Sequence, residues 1–372
     1  MSGPTTIELV AGEVRTPAAL SHVAKAHAYA LGFDLVGITT LGPAETAPHF
    51  DAWLDAGRAG GMEYLARGAE KRRDSRRARP GTTHAIVVAL DYGGREPSGP
   101  VARYARGDDY HDVIEGKLRE LQRRLSTDVG FEVMGKAYVD TGPLLERDLA
   151  RRAGLGWFGK NTNLLNPTRG SFFFLGALVV DLELAIDAPF EADRCGSCTR
   201  CIEACPTDAI VAPRELDATR CISYLTIELK GEIPEELREG VGDLIYGCDI
   251  CQDVCPFNVK FAQALKVQEF APREFLVGKD ARQLARDLLV MTQTEFSARF
   301  KGSPMKRAKL RGLARNAAVA LGNVSAAEDV PALEAALRHD EPLVRDHAAW
   351  ALKAGSATPA NTTQAAAARG RR

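Results

Sequence analysis

Cysteine is missing from the first 194 residues of this chain and from everything after position 255; all eight cysteines lie between. Disulfide staples tie distant segments together, so this distribution excludes a disulfide framework and points to metal. Net charge is nearly absent as well, with 48 Lys and Arg against 49 Asp and Glu. The whole molecule therefore makes no case for nucleic-acid or membrane binding, and any such case must come from local patches. Long apolar runs are lacking too. The longest, FFFLGALVVDLELA at 172–185, is too short to span a bilayer and carries Asp181 and Glu183. It is expected to be a buried strand. The opening residues MSGPTTIELVAGEV hold no basic region followed by an apolar run, so no secretory signal is expected. A cytoplasmic protein without a membrane partner is the expectation.

What is present is ordinary globular material. The 372 residues are 45% hydrophobic and 26% charged, enough for two or three domains. Residues 1–185 read as an α/β domain. ALSHVAKAHAYALGFD (19–34) has helical spacing, and LVGITTL and AIVVALDY are short β-rich runs. DYHDVIEGKLRELQRRLSTDVG (109–130) predicts a helix ending at Gly130. FEVMGKAYVD (131–140) alternates, then stops at TGP, and Pro143 is placed to begin another helix. Residues 186–262 form the cysteine segment and 263–300 read as connecting helices. Three helical patterns follow in 303–354, with apolar steps at Leu310, Leu313, Ala317 and Leu321, at Val330, Leu333 and Leu337, and at Val344, Ala348 and Leu352. Short paired helices of this kind resemble a HEAT-like repeat, and so few repeats are expected to pack on the main body. The tail 355–372 lacks an apolar face and is expected to be disordered.

The cysteine segment carries the most specific signal. CGSCTRCIEACP at 195–206 is a complete C-x₂-C-x₂-C-x₃-C-P run, the bacterial ferredoxin pattern in which the fourth cysteine serves the other 4Fe–4S cluster. CDICQDVCP at 248–256 is one cysteine short, and Cys221 is available to complete it. The spacing assigns Cys195, Cys198, Cys201 and Cys255 to one cluster and Cys205, Cys221, Cys248 and Cys251 to the other. Twenty-six residues separate Cys221 from Cys248, so a segment has been inserted beside the second cluster. The alternative is a pair of Cys₄ zinc sites. Two adjacent cubes imply one-electron transfer. No electron acceptor has a clear fingerprint: GLGWFG (154–159) follows a helix rather than a strand, and DYHDVI has Ile114 where the cobalamin motif D-x-H-x-x-G requires glycine.

YVDTGPLLERDLARRAGLGWFGKNTNLL, the cysteine segment with its displaced ligand and CISYLTIE, and MKRAKLRGLARNAAVALGN occur in this order. Together they resemble the epoxyqueuosine reductases, from about residue 20 to 354. The resemblance implies an N-terminal cobalamin-binding domain related to reductive dehalogenases, cobalamin and two 4Fe–4S clusters as cofactors, and tRNA as substrate. The implied reaction reduces epoxyqueuosine to queuosine at the wobble position of the anticodon. It also implies an unidentified electron donor; a monomer is expected.

The site residues carry over one by one. Spacing alone makes Asp140 or Thr141 a helix cap. The resemblance makes Asp140 the proton donor and a cobalamin contact, with a pKa expected to be raised by desolvation. Trp157, Lys160 and Asn161 in GWFGKN match a cobalamin-contacting loop. Ser223, Cys248 and Asp249 match positions beside the second cluster that touch cobalamin, with 222–247 as part of the wall. Ala102 stands about where some family members have a cysteine. For RNA, the stretch 299–315 holds seven Lys and Arg and no acid, and KRRDSRRARP (71–80) is a second basic run. Lys306, Arg307, Lys309, Arg311 and Arg315 are the expected tRNA contacts; the plain alternative is a solvated helix face. Two competing readings are a dehalogenase-like enzyme on a small molecule and a non-catalytic electron carrier.

Overall fold

The computed structural model describes residues 16–324 and 326–357. Its first layer is a four-stranded antiparallel sheet built from β1 (Leu35–Thr40), β2 (His84–Asp91), β3 (Gly135–Tyr138) and, beyond two short strands β4 (Trp157–Phe158) and β5 (Leu164–Leu165), β6 (Phe173–Val180). The order is β1-β2-β6-β3, with Ile86 opposite Leu178 and Ala137 opposite that same residue on the other side.

Both faces of the sheet are covered, which is why β2 and β6 read as continuous apolar runs rather than alternating ones. Ile86, Val88, Leu90, Phe174 and Leu178 face helices Pro17–Ala30 and Tyr110–Val129. Ala85, Val87, Ala89, Ala177 and Val179 face Leu149 and Ala150 of helix Glu146–Arg152. Helix Tyr110–Val129 begins where Asp109 accepts the His111 N–H and stops at Gly130, whose φ of 76° suits glycine. Its Leu118, Leu121 and Leu125 are fully buried, each contributing about 1.5–3 kcal/mol by leaving water. The helix expected at Pro143 begins only at Glu146, and neither Asp140 nor Thr141 caps it.

The cysteine segment follows as two short helices, Arg200–Glu203 and Ile250–Asp253, each ending at a Cys-Pro pair. Between them, helices Ile222–Ile227 and Glu235–Val241 pack Leu225, Ile233 and Val241 against Val319 of helix Lys309–Val324. The inserted segment therefore joins the second cysteine group to the C-terminal helices, a role its sequence did not disclose.

The C-terminal unit docks on the body as expected. Leu313, Ala317, Leu321, Leu333, Val344 and Ala348 share one core with Val101, Ala105, Ile245 and Tyr246. Val330 and Leu337 are instead exposed. The last helix runs through Ala357, so 355–357 are helical where a tail was expected; positions 358–372 lie outside the described residues. Among the described residues no helix is long and apolar enough to cross a membrane.

Candidate active site and cysteine centres

The first cysteine group closes around a cavity of about 190 Å³ lined by Cys195, Cys198, Cys201 and Cys255, with Lys160, Arg194 and Arg200 at its edge. Burial pushes the Cys201 thiol up, and the neighbouring Cys255, Cys195 and Cys198 raise it further. Cys251 is raised well above the ordinary thiol range by burial, then by Cys248, Cys221, Cys201 and Cys205. Cys201 of the first group thus acts on Cys251 of the second, so the two groups lie close together. Such crowded thiols ionise only if a bound cation compensates them. A single zinc at about 2.3 Å from each sulfur would draw four thiolates tightly together. Among the described residues no three His, Cys, Asp or Glu groups are arranged to hold one metal ion. The cavity fits a larger cluster.

Polar groups serve the sulfurs. The Trp157 indole N–H donates to Cys195 Sγ at 3.4 Å, and the Ala209 N–H donates to Cys205 Sγ at 3.3 Å. Backbone N–H and hydroxyl of Ser223 both favour the Cys221 thiolate. Such bonds tune cluster potentials.

The expected cofactor loop lies against the cysteine segment. Trp157 is 3% exposed and stacks near Phe190 and Phe257 against the first group. Lys160 Nζ binds the Gly196 carbonyl, and Asn161 Nδ2 binds the Cys251 carbonyl. GWFGKN covers the cysteine centres, because β4 and β5 form a tight hairpin over them. Asp249 is buried, and its Oδ2 accepts the Arg103 N–H and guanidinium at 2.9 and 3.0 Å. Its Oδ1 has no hydrogen-bond partner.

A strip of chain leads from the second group to Asp140. Ala102 donates its N–H to the Tyr246 carbonyl, and a side chain on Gly247 would strike Ala102 Cβ at 2.7 Å. Cys248 is therefore two residues from a backbone packed against 102–104. Tyr104 packs on Tyr110 at 6.2 Å between ring centroids, and Tyr110 is sandwiched between His111 and Phe174 at 4.1 and 4.2 Å. The stacking aims the Tyr110 hydroxyl, which donates to Asp140 Oδ2 at 2.9 Å.

Asp140 sits in a cleft where chemistry is concentrated. It is held at φ 54°, its side chain keeps 65% of its surface open, and its N–H donates to Glu146 Oε1 at 2.7 Å. His111 Nε2 lies 3.5 Å from Asp140 Oδ2, while Nδ1 bonds Asp109 at 2.6 Å. Surrounding groups would raise the Asp140 pKa by desolvation, but His111 and Tyr110 outweigh that and hold the carboxyl below its ordinary value. The expected upward shift is found on Glu146 instead: burial and the Asp140 charge push it up to about 8. Burial opposes the charge on His111, yet Asp109 and Asp140 raise it to about 9. Near neutrality the cleft holds an ionised Asp140 between two proton carriers. Nothing in the sequence marks Tyr110, His111 or Glu146 as functional; an Asp-Asp-Tyr-His string at a helix start is ordinary capping sequence until the fold turns it toward Asp140.

The basic run divides. Lys306 and Lys309 are exposed. Arg307 pairs with Glu228 at 2.9 and 3.0 Å, and Arg311 binds the Lys230 carbonyl. Arg315 is 1% exposed, its guanidinium donating to the carbonyls of Leu225, Leu229 and Gly231. It holds the turn after helix Ile222–Ile227 and is not an RNA contact. In the second run, Arg72 is buried against the carbonyls of Tyr64 and Gly142.

The same architecture recurs in known proteins. A family model described as "Epoxyqueuosine reductase QueG, DUF1730" matches residues 72–141, and a "4Fe-4S double cluster binding domain" matches 194–258. Epoxyqueuosine reductase of Xanthomonas campestris is 44% identical over 333 residues, 86% of this chain and 92% of that protein. The chain belongs to the epoxyqueuosine reductase family. The Pseudomonas aeruginosa epoxyqueuosine reductase is 43% identical over 91% of this chain and 95% of its own. A crystal structure of epoxyqueuosine reductase with an epoxyqueuosine-modified tRNA stem loop matches with a TM-score of 0.80 and 32% identity, covering 90% of each chain. An epoxyqueuosine reductase is an oxidoreductase, and the two cysteine groups fall inside its double-cluster domain.

Proposed function

We propose that this epoxyqueuosine reductase family member reduces epoxyqueuosine to queuosine in tRNA. The observation that carries this is the Asp140 cleft, linked through 102–110 to the second cysteine group. Removing an epoxide oxygen takes two electrons and two protons, breaks two carbon–oxygen bonds and releases water. When bound, two 4Fe–4S clusters and cobalamin supply the electrons. Cys195, Cys198, Cys201 and Cys255 hold one cluster; Cys205, Cys221, Cys248 and Cys251 hold the other. Ser223, Cys248 and Asp249 are the cobalamin contacts, and the unpartnered Asp249 Oδ1 fits a ligand's polar group.

The chain's own residues manage the protons. Glu146 and His111 store one each, and Asp140, which faces the open cleft, delivers them to the departing oxygen. Tyr110 and Glu146 fix where Asp140 points. Lys306 and Lys309 contact RNA phosphate. The α/β, ferredoxin-like and C-terminal units divide near 185 and 262, and the last is a HEAT-like repeat. A cytoplasmic monomer fed by a separate electron donor completes the reading. Anaerobic incubation with epoxyqueuosine-containing tRNA, reductant and cobalamin, followed by nucleoside analysis, tests it: queuosine is expected.

A further inference from the structure

Three large aromatic side chains stand open among the described residues: Tyr29, Tyr64 and Phe131. Tyr29 belongs to helix Pro17–Ala30 and Phe131 follows helix Tyr110–Val129. Tyr64, 38% exposed on the short helix Glu63–Arg67, is different. The Arg307 guanidinium lies over its ring, 5.5 Å from the centroid. Arg307 cannot swing away freely, because both Glu228 oxygens hold its Nε and Nη2. A guanidinium fixed by a two-point carboxylate pair presents a flat plane rather than a roaming charge.

The pair stands at the Asp140 cleft. Arg72 donates to the Tyr64 carbonyl and to the Gly142 carbonyl, two residues from Asp140. The Asp140 charge acts on Tyr64, and the Arg307 charge acts on Asp140. Exposed Lys71, Lys306 and Lys309 belong to the two basic runs that supply Arg72 and Arg307. An open aromatic ring, a fixed guanidinium and exposed lysines in the same basic runs suit an unpaired RNA base, which stacks on such planes while its phosphates meet ammonium groups. A base still paired in a duplex offers no free face.

We propose that Tyr64, with Arg307 fixed on its ring, is a stacking platform for an unpaired nucleobase of the RNA substrate at the mouth of the Asp140 cleft; this rests on the proposed RNA reaction. The test uses the cluster-loaded full chain at fixed salt, with an anticodon stem-loop RNA and a blunt RNA duplex as probes. Tyr64→Ala weakens stem-loop binding ~5- to 100-fold and leaves the duplex unchanged. Tyr64→Phe stays within about twofold, because the ring does the stacking. Tyr64→Leu, which keeps apolar bulk without the plane, behaves as Tyr64→Ala, and the turnover defect of both lies in KM. Stem-loop binding by Tyr64→Ala or Tyr64→Leu equal to the wild type overturns the platform, as does equal weakening of the duplex. Failure of wild-type protein to turn over modified tRNA would speak against the reaction instead, since the binding comparison stands without it.

Discussion

Glu146 accepts the backbone N–H of Asp140 at 2.7 Å, and in doing so holds Asp140 in a left-handed conformation beside Tyr110 and His111. The two carboxyls are pushed in opposite directions, Asp140 down by its hydrogen bonds and Glu146 up to about 8 by burial and its neighbour's charge. Environments that separate two such groups assign their roles, one ionised and one carrying a proton.

Turnover is therefore expected to fall as pH rises through about 8, where Glu146 loses its proton. Glu146→Gln keeps an acceptor for Asp140 but no acidic proton. It should lower kcat by about 10²-fold or more and abolish that basic limb. Stability moves the other way. The folded value exceeds the ordinary 4.5, so ionisation above that pH favours the unfolded chain, and Glu146→Gln raises the melting temperature at pH 7. A pH–rate profile with an unchanged basic limb in the variant would remove Glu146 from proton delivery.

The displaced cysteine has a stoichiometric consequence. Cys221→Ala leaves the first group intact, so iron should drop from about eight to about four per chain. Iron analysis after anaerobic reconstitution checks this, and eight iron atoms in the variant would mean that another residue supplies the ligand.

Salt dependence separates the two kinds of basic residue. Lys306→Glu with Lys309→Glu should flatten the plot of log binding constant against log salt by about 0.7–0.9 for each phosphate no longer neutralised. Arg315→Met should leave that slope alone and instead destabilise the fold by about 2–4 kcal/mol, because the carbonyls of Leu225, Leu229 and Gly231, the first of them buried, lose their donor. Chemical denaturation and RNA titration at several salt concentrations measure both.

His347 is fully buried, accepts the Ile233 N–H at 3.2 Å through Nε2 and faces the Leu343 carbonyl with Nδ1. Burial lowers it to about 4, against an ordinary 6.5. The unfolded chain takes the proton first on acidification, so stability is lost from about pH 6.5 down toward 4. His347→Gln should blunt that decline in denaturation curves taken across the same range.

That the segment binds two clusters was legible in its cysteine spacing, and the ends of helix Tyr110–Val129 were legible in Asp109 and Gly130. The strand order was not, since pairing Gly135–Tyr138 with β6 depends on tertiary packing. The hairpin at GWFGKN was not legible, because glycines serve a tight turn and a close-lying ligand equally well. A side chain on Gly156 would lie 2.0 Å from the Leu165 carbonyl, so the hairpin itself requires the glycine. The basic run misled because a linear count hides helical facing. Arg311 and Arg315, four apart, share the side turned to the 225–231 turn, while Lys309 does not. The raised acid is Glu146 rather than Asp140, because Asp140 is held ionised by two donors that lie 29 and 30 positions earlier in sequence.

The most direct measurement is single turnover of epoxyqueuosine-containing tRNA by anaerobically reconstituted wild type, Asp140→Asn and Glu146→Gln, read by nucleoside analysis. Queuosine is expected from the wild type, with losses of about 10²-fold or more in each variant and iron and corrinoid content unchanged. A fully loaded wild-type protein that yields no queuosine would contradict the proposed reaction.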